Sequence, residues 1–239
     1  MIIPVVIPCL NRFDLMAQTY ESLGDAVYPY IIDNWNDNRG VSGSWNEGMQ
    51  RAKADGHRYV VITNDDVIFS PGSLKAIYEA IIDTGAVTMS PNQNDHRDHS
   101  GIQEGCDMFC FAVDIDQLVE AVGWFDQNFF PAYFEDNDIH WRMIQANVTP
   151  MLNTDAVVTH IGSATQNAGP LPVTSHQRFE KHRAYFIKKW GNSPGREIYT
   201  TPFGHPELTI RDWNRSYLLD GLSVTESNQH ILEQLDSKS

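Results

Sequence analysis

Three polar clusters follow short β-rich runs early in the chain: Cys9-Leu10-Asn11-Arg12, Asp33 to Asn38, and Asn64-Asp65-Asp66. In open parallel sheets, ligands sit outside the carboxyl ends of the strands, so three such clusters on successive strands line one crevice. Asn and Asp also favour the turns that follow strands, and that plainer reading holds for each cluster taken singly. Asn64-Asp65-Asp66 is the sharpest of the three. Adjacent carboxylates repel unless solvent or a cation compensates them. On an extended strand end, positions 64 and 66 face one side, so Asn64 and Asp66 can address a metal or a ribose together. Oxygen donors favour Mg²⁺ or Mn²⁺ over zinc.

A second acidic cluster, Glu135-Asp136-Asn137-Asp138, lies between Phe134 and a segment carrying Ile139, Trp141, Arg142 and Met143. Carboxylates suit a helix N-terminus because they complement its dipole. Equally, a carboxylate beside an aromatic wall can take a proton from an acceptor hydroxyl, and apolar neighbours raise its pKa into a useful range. Periodicity does not separate these readings. His160 follows the apolar run Ala156-Val157-Val158, and a lone strand-end histidine is more often a hydrogen-bonded structural residue than a ligand. The set His96, His99, Cys106 and Cys110 matches no common zinc frame, and Met108 to Val113 reads as a core strand. Cys9 reads as a small buried apolar residue.

The elements that must carry these residues alternate between strand and helix, the pattern of an α/β domain with a parallel sheet. Ile2 to Ile7, Tyr30 to Ile32, Tyr59 to Thr63 and Ala86 to Met89 are expected strands. Between them lie a helix capped near Asn11, a helix from about Ser44, and a helix opened by Ser70-Pro71. From about Pro91 the alternation loosens. Asn92 to Gly105 reads as a loop, Met108 to Val113 as a strand, and Asp114 to Val122 as a helix. A helix to about Asn147, a strand ending at His160 and a helix from Ser175 to Trp190 follow. The small-residue segment Ser163 to Pro172 and the loop from Asn92 are the expected moving parts.

At 239 residues the chain suits one large domain with a small C-terminal extension. A net charge of -14 repels phosphate backbones and argues against a duplex nucleic-acid partner, though a cation can still neutralise one diphosphate locally. No apolar run is long enough to span a bilayer, and Met1 to Ile7 reads as a strand rather than a leader peptide. Three cysteines suit a reducing compartment, so the cytoplasm is expected.

Taken in order, several of these motifs resemble family 2 glycosyltransferases. They are Val5 to Arg12, Asp33-Asn34 with Asn38-Arg39-Gly40, Asn46 and Gly48, and Ile62 to Val67. Gly123 to Asp126 and Tyr133 to Arg142 carry the strongest similarity; His160 to Ser163 and Lys188-Lys189-Trp190-Gly191 also fit. The resemblance implies a GT-A-type, Rossmann-like, mostly parallel sheet flanked by helices, with a less regular acceptor-side half. It spans residues 1–203, with 1–91 as the nucleotide-sugar half, 92–203 as the acceptor and catalytic half, and 204–239 as an extension. It implies an inverting transfer from a nucleotide-sugar, UDP-sugar first, assisted by Mn²⁺ or Mg²⁺. Pro8, Asn11 and Asp33 are the implied nucleobase residues, and Asn64 and Asp65 those for ribose or phosphates. Arg12, Asn38, Gly40 and Asn46 fall in the same donor-binding motifs. Asp66 and His160 are the implied metal ligands, and Asp136 the general base; Trp124, Glu135 and Asp138 fall on the acceptor side. Asn64 stands where a strict DXD motif has its first aspartate. A sugar-nucleotide nucleotidyltransferase is the competing enzyme reading, but Cys9 to Asp14 lacks the glycine-rich loop it needs. A catalytically silent nucleotide-sugar-binding module is the non-enzymatic one. The acceptor stays open among glycan, lipid-linked sugar, protein side chain and modified nucleobase.

Overall fold

The computed structural model describes residues 1–24, 26–94, 101–162 and 175–211, with side chains from 179 onward in the last segment. Eight strands form one sheet: β1 (Ile3–Cys9), β2 (Val27–Asp33), β3 (Tyr59–Thr63), β4 (Val67–Phe69), β5 (Thr88–Gln93), β6 (Ile102–Glu104), β7 (Cys110–Asp114) and β8 (Met151–His160). The order is β2-β1-β3-β7-β5-β8-β4, with β6 paired to β8. β1, β2, β3, β5 and β8 run one way; β7, β4 and β6 run against them. The sheet is mixed but mostly parallel, and the ends of β1, β2, β3 and β8 share one edge.

Helices cover both faces: α1 (Phe13–Ser22), α2 (Gly40–Ala54), α3 (Ser73–Thr84), α4 (Ile115–Ala121), α5 (Glu135–Gln145) and α6 (Ser175–Trp190). The strand period of two sorts neighbouring residues to opposite layers. Val5, Ile7 and Val61 pack with Leu74, Ile77 and Ile81 of α3. Val6, Val60 and Ile62 pack with Trp45 and Met49 of α2 and Ile139 and Met143 of α5. A third cluster joins Phe129 and Phe134 to Tyr185, Phe186 and Trp190 of α6.

Several expected boundaries move. α1 begins after Arg12 with no side-chain cap, so Asn11 does not cap it. α2 begins at Gly40 rather than Ser44, because Gly40, Ser42 and Gly43 are buried without apolar side chains and leave no apolar period to read. α3 begins at Ser73; Ser70-Pro71 lies in the preceding turn, and Gly72 takes φ 85° at the N-cap position. The expected loop from Asn92 to Gly105 contains the end of β5 and all of β6. β4 and β6 have three residues each, too few to show a period. His96 and His99, the segment Ser163 to Pro172, and most of the C-terminal extension lie outside the described residues.

Candidate active site

The shared sheet edge carries the first two polar clusters. Cys9 and Asp33 are register partners at the ends of β1 and β2, and Asn34 N–H donates to the Cys9 carbonyl at 2.8 Å. Asn11 Oδ1 is buried with no hydrogen-bond partner among the described residues. Pro8 is half-buried beside it, and Asp33 is exposed, accepting from Trp35 N–H at 2.8 Å. Arg12 forks onto Asp14 at 2.8 and 2.7 Å, with Asp65 and Asp66 adding to the field around its guanidinium.

β3 ends in a turn rather than an extended tail. Asn64 N–H donates to the Phe109 carbonyl at 2.9 Å, and the chain then turns through Asp65 and Asp66 into β4. Asn64 and Asp66 therefore do not alternate as strand-end residues. Both aspartates are buried, 6% and 4% exposed. Burial, and then Asp65, push the Cys9 thiol up to about 12, so Cys9 stays a neutral donor facing that carboxylate.

β4 pairs with the end of β8, which sets Val67 opposite His160 and brings Asp66 to the histidine. His160 Nε2 lies 3.2 Å from Asp66 Oδ1, and Ile161 N–H donates to the Asp66 carbonyl at 3.0 Å. The imidazole stacks on Phe109 at 4.3 Å and 12°, which fixes its plane. An oxygen and an imidazole nitrogen converging at a strand-end turn fit a divalent cation, Mn²⁺ better than Mg²⁺. Among the described residues no three His, Cys, Asp or Glu side chains gather at one point, so Asp66 and His160 stand here as a pair.

Asn38 closes the turn before α2, and Gly40 and Asn46 set α2 against the Phe125 to Pro131 segment. Asn38 Oδ1 accepts from Gly40 N–H at 2.9 Å. Gly40 has φ 68°, and a Cβ there would lie 2.8 Å from the Pro131 carbonyl, so only glycine lets this turn meet the Phe130-Pro131 backbone. Asn46 is buried, donating to the Phe125 carbonyl at 2.9 Å and accepting from Phe125 N–H at 3.0 Å. Trp124 is half-buried against the α2 and α5 layer, and its carbonyl accepts from Arg142 at 2.9 Å.

The α5 N-terminus separates its carboxylates. Asp136 reaches solvent and lines two cavities, one of about 650 Å³ shared with Glu104, Cys106 and His140, and one of about 380 Å³ shared with Tyr133, Phe134 and Phe179. The protein packed around it raises its carboxyl above the ordinary value, against backbone hydrogen bonds that lower it. Glu135 is 8% exposed; burial, and then Asp136, push it up to about 8. Asp138 points away from both cavities into the interior. It accepts from Trp190 at 2.8 Å and pairs with Arg142 at 2.7 Å and Lys189 at 2.7 Å. Burial acts to raise this carboxyl, but Lys189 and then Arg142 hold it below the usual range. Lys189 also reaches Asp126 at 2.6 Å. Sequence reasoning missed this network. Its only signal was charge embedded in the aromatic-rich stretches around Asp126 and Lys189.

Comparison with known proteins bears on the fold and the family pattern. The glycosyl transferase family 2 pattern matches residues 28–133. A galactofuranosyl glycosyltransferase of Leishmania donovani is 31% identical over 70 residues, which are 29% of this chain and 16% of that protein. Among solved structures, GalNAc-T7 with UDP, GalNAc and Mn²⁺ superposes with a TM-score of 0.61 at 11% identity, over 80% of this chain and 49% of that one. The catalytic domain of Drosophila β1,4-galactosyltransferase 7 in complex with xylobiose gives 0.55 at 13% identity, over 85% and 83%. The chain thus spans about half of the first of these structures and a small part of the curated relative.

Proposed function

We propose that this chain, whose residues 28–133 carry the family 2 glycosyltransferase pattern on the GT-A fold, transfers a sugar from a nucleoside diphosphate donor, UDP-sugar first, to an acceptor hydroxyl. The observation that carries the reading is the meeting of Asp66 and His160 on the sheet edge that also holds Asn11 and Asp33, with Asp136 exposed at the start of α5. GalNAc-T7 was crystallised with UDP, GalNAc and Mn²⁺, which supports UDP and Mn²⁺ here; Mg²⁺ is the second choice.

In this reading the unpartnered Asn11 Oδ1 accepts from a nucleobase N–H, and Pro8 and Asp33 complete that wall. Asn64 and Asp65 hold ribose and phosphate groups. Arg12 balances the carboxylates behind them. Asp66 and His160 would hold the cation, which would supply neutralisation of charge on the diphosphate leaving group. Asp136 takes the proton of the attacking hydroxyl, its raised carboxyl bringing the base closer to the working pH. Attack opposite the leaving group in one displacement inverts the anomeric centre. Residues 1–203 form the working unit. The described cysteines are free thiols, in keeping with a cytoplasmic setting, and among the described residues no helix is long and apolar enough to cross a membrane.

The test is thermal unfolding with a panel of nucleoside diphosphates, with and without Mn²⁺. UDP with Mn²⁺ raises the melting temperature, because a ligand bound only by the native state stabilises it. Asp66→Ala loses the Mn²⁺-dependent part. A variant that responds like wild type removes Asp66 from the metal site, and no response in either protein ends the donor reading.

A further inference from the structure

Two guanidinium groups, those of Arg12 and Arg39, stand at the sheet edge that carries Asp33 and the Asp65-Asp66 turn. They are held differently. Arg39 donates to the Asp33 and Asp37 carbonyls at 3.1 and 2.9 Å and pairs with the Asp37 carboxylate at 3.2 Å and with Glu47. Arg12 places both arms of its fork on one carboxylate, Asp14, at 2.8 and 2.7 Å. The Asp14 side chain is 62% exposed and that of Arg12 27%, so the pair stands largely in water and contributes little to stability. The Arg12 carbonyl is anchored separately, accepting from Leu15 and Met16 N–H at 3.0 and 2.9 Å in the first turn of α1. Only the two side chains have to move for the pair to open.

We propose that Asp14 is an internal competitor of the donor's diphosphate: its carboxylate occupies the Arg12 fork in the free protein, and a phosphate of the nucleotide displaces it. The inference rests on the donor reading of this edge and adds a gate to it. Hydrogen bonds from Arg12 hold the Asp14 carboxyl down to about 2, so it is an anion at any working pH. The Arg12 guanidinium is itself raised by Asp14 first, against burial, and then by Asp65 and Asp66. It therefore sits between an exposed carboxylate and two buried ones. A phosphate offers the fork the same pair of oxygens as a carboxylate, with more charge. A diphosphate arriving here meets Asp33, Asp65 and Asp66, so it needs positive charge from the chain as well as from a cation. Arg39 is tied on several sides, whereas Arg12 gives up one exposed partner that water then solvates. The competitor weakens the spent nucleotide as well as the donor, which favours its release.

The experiment is isothermal titration of UDP at fixed Mn²⁺ into the full chain, as wild type, Asp14→Asn, Arg12→Met and the double variant. Asp14→Asn tightens UDP about two- to fivefold, the range that releasing a surface ion pair allows. Arg12→Met weakens it at least about tenfold, since a charge-assisted bond to phosphate is lost. The double variant binds like Arg12→Met, because Asp14 then has no guanidinium to withhold. Unliganded melting temperatures report the fold of each variant, and Arg12→Lys, a charge without the fork, replaces Arg12→Met if that one melts early. UDP binding to Asp14→Asn that is unchanged or weaker overturns the competitor. So does a double variant that gains over Arg12→Met as much as Asp14→Asn gains over wild type, because Asp14 then acts on the nucleotide through its charge alone. Either result leaves the donor reading standing. Absence of UDP binding in wild type and Asp14→Asn alike removes the donor reading, and this inference with it.

Discussion

Replacing Lys189 by methionine tests the packing logic that separates Asp138 from Asp136. The ammonium is buried at 2.6 Å from Asp126 Oδ2 and 2.7 Å from Asp138 Oδ1. Without it, Asp138 keeps Arg142 at 2.7 Å and Trp190 at 2.8 Å. Among the described residues Asp126 keeps neutral donors, Asn128 at 2.7 Å and Tyr185 at 3.0 Å. Breaking a buried ion pair from one side costs about 3–5 kcal/mol, because the remaining charge is stranded. As only one carboxylate is stranded, Lys189→Met is expected near the lower end, about 3 kcal/mol, or a fall of roughly 6–12 °C in melting temperature. Removing the stranded charge as well, in Asp126→Asn/Lys189→Met, recovers all but about 1 kcal/mol, since polar shape is kept without the desolvation penalty. Urea unfolding followed by tryptophan fluorescence gives these values by linear extrapolation, with Trp190 reporting beside the network. A loss under about 1 kcal/mol for Lys189→Met, or a double variant as damaged as the single one, refutes the argument.

Asp136→Asn is expected to slow transfer by about 10²–10⁴-fold with UDP affinity unchanged, measured as initial rate and as thermal shift in parallel. Glu135 sets a pH dependence of stability: its folded pKa, about 8, lies above the ordinary 4.5, so the native state holds a proton that the unfolded chain releases. Its contribution is complete below about 4.5 and is lost as pH rises through about 8, and urea titrations across that window should flatten in Glu135→Gln. Gly48 of α2 lies against β1 so closely that a Cβ would come 2.2 Å from Val6 Cγ1. Gly48→Ala should therefore cost about 1–3 kcal/mol by overpacking, and Val6→Ala in the same chain should return part of it.

The elements that bury one stripe or one continuous run were readable before any coordinates. Val5-Val6-Ile7 and Val60-Val61-Ile62 declared strands covered on both faces, and the sheet covers them so. The order and spacing of the motifs from Val5 to Trp190 were enough for the family resemblance and the α/β fold, because turn chemistry and strand-end polarity are encoded locally. Residues whose environment comes from distant chain were not readable. The start of α2 is held by backbone burial against the Phe125 to Pro131 segment, which leaves no hydrophobic period at Gly40 or Gly43. Asp136 and Asp138 look alike in one acidic run. Packing of α6 put Lys189 and Trp190 beside one and left the other at a cleft, and no local pattern carries that difference. Asp66 and His160 were each a strand-end polar residue in sequence. The short strand β4, pairing with the C-terminal end of β8, made them a pair, since strand pairing is a long-range choice made by the core on either side of the sheet.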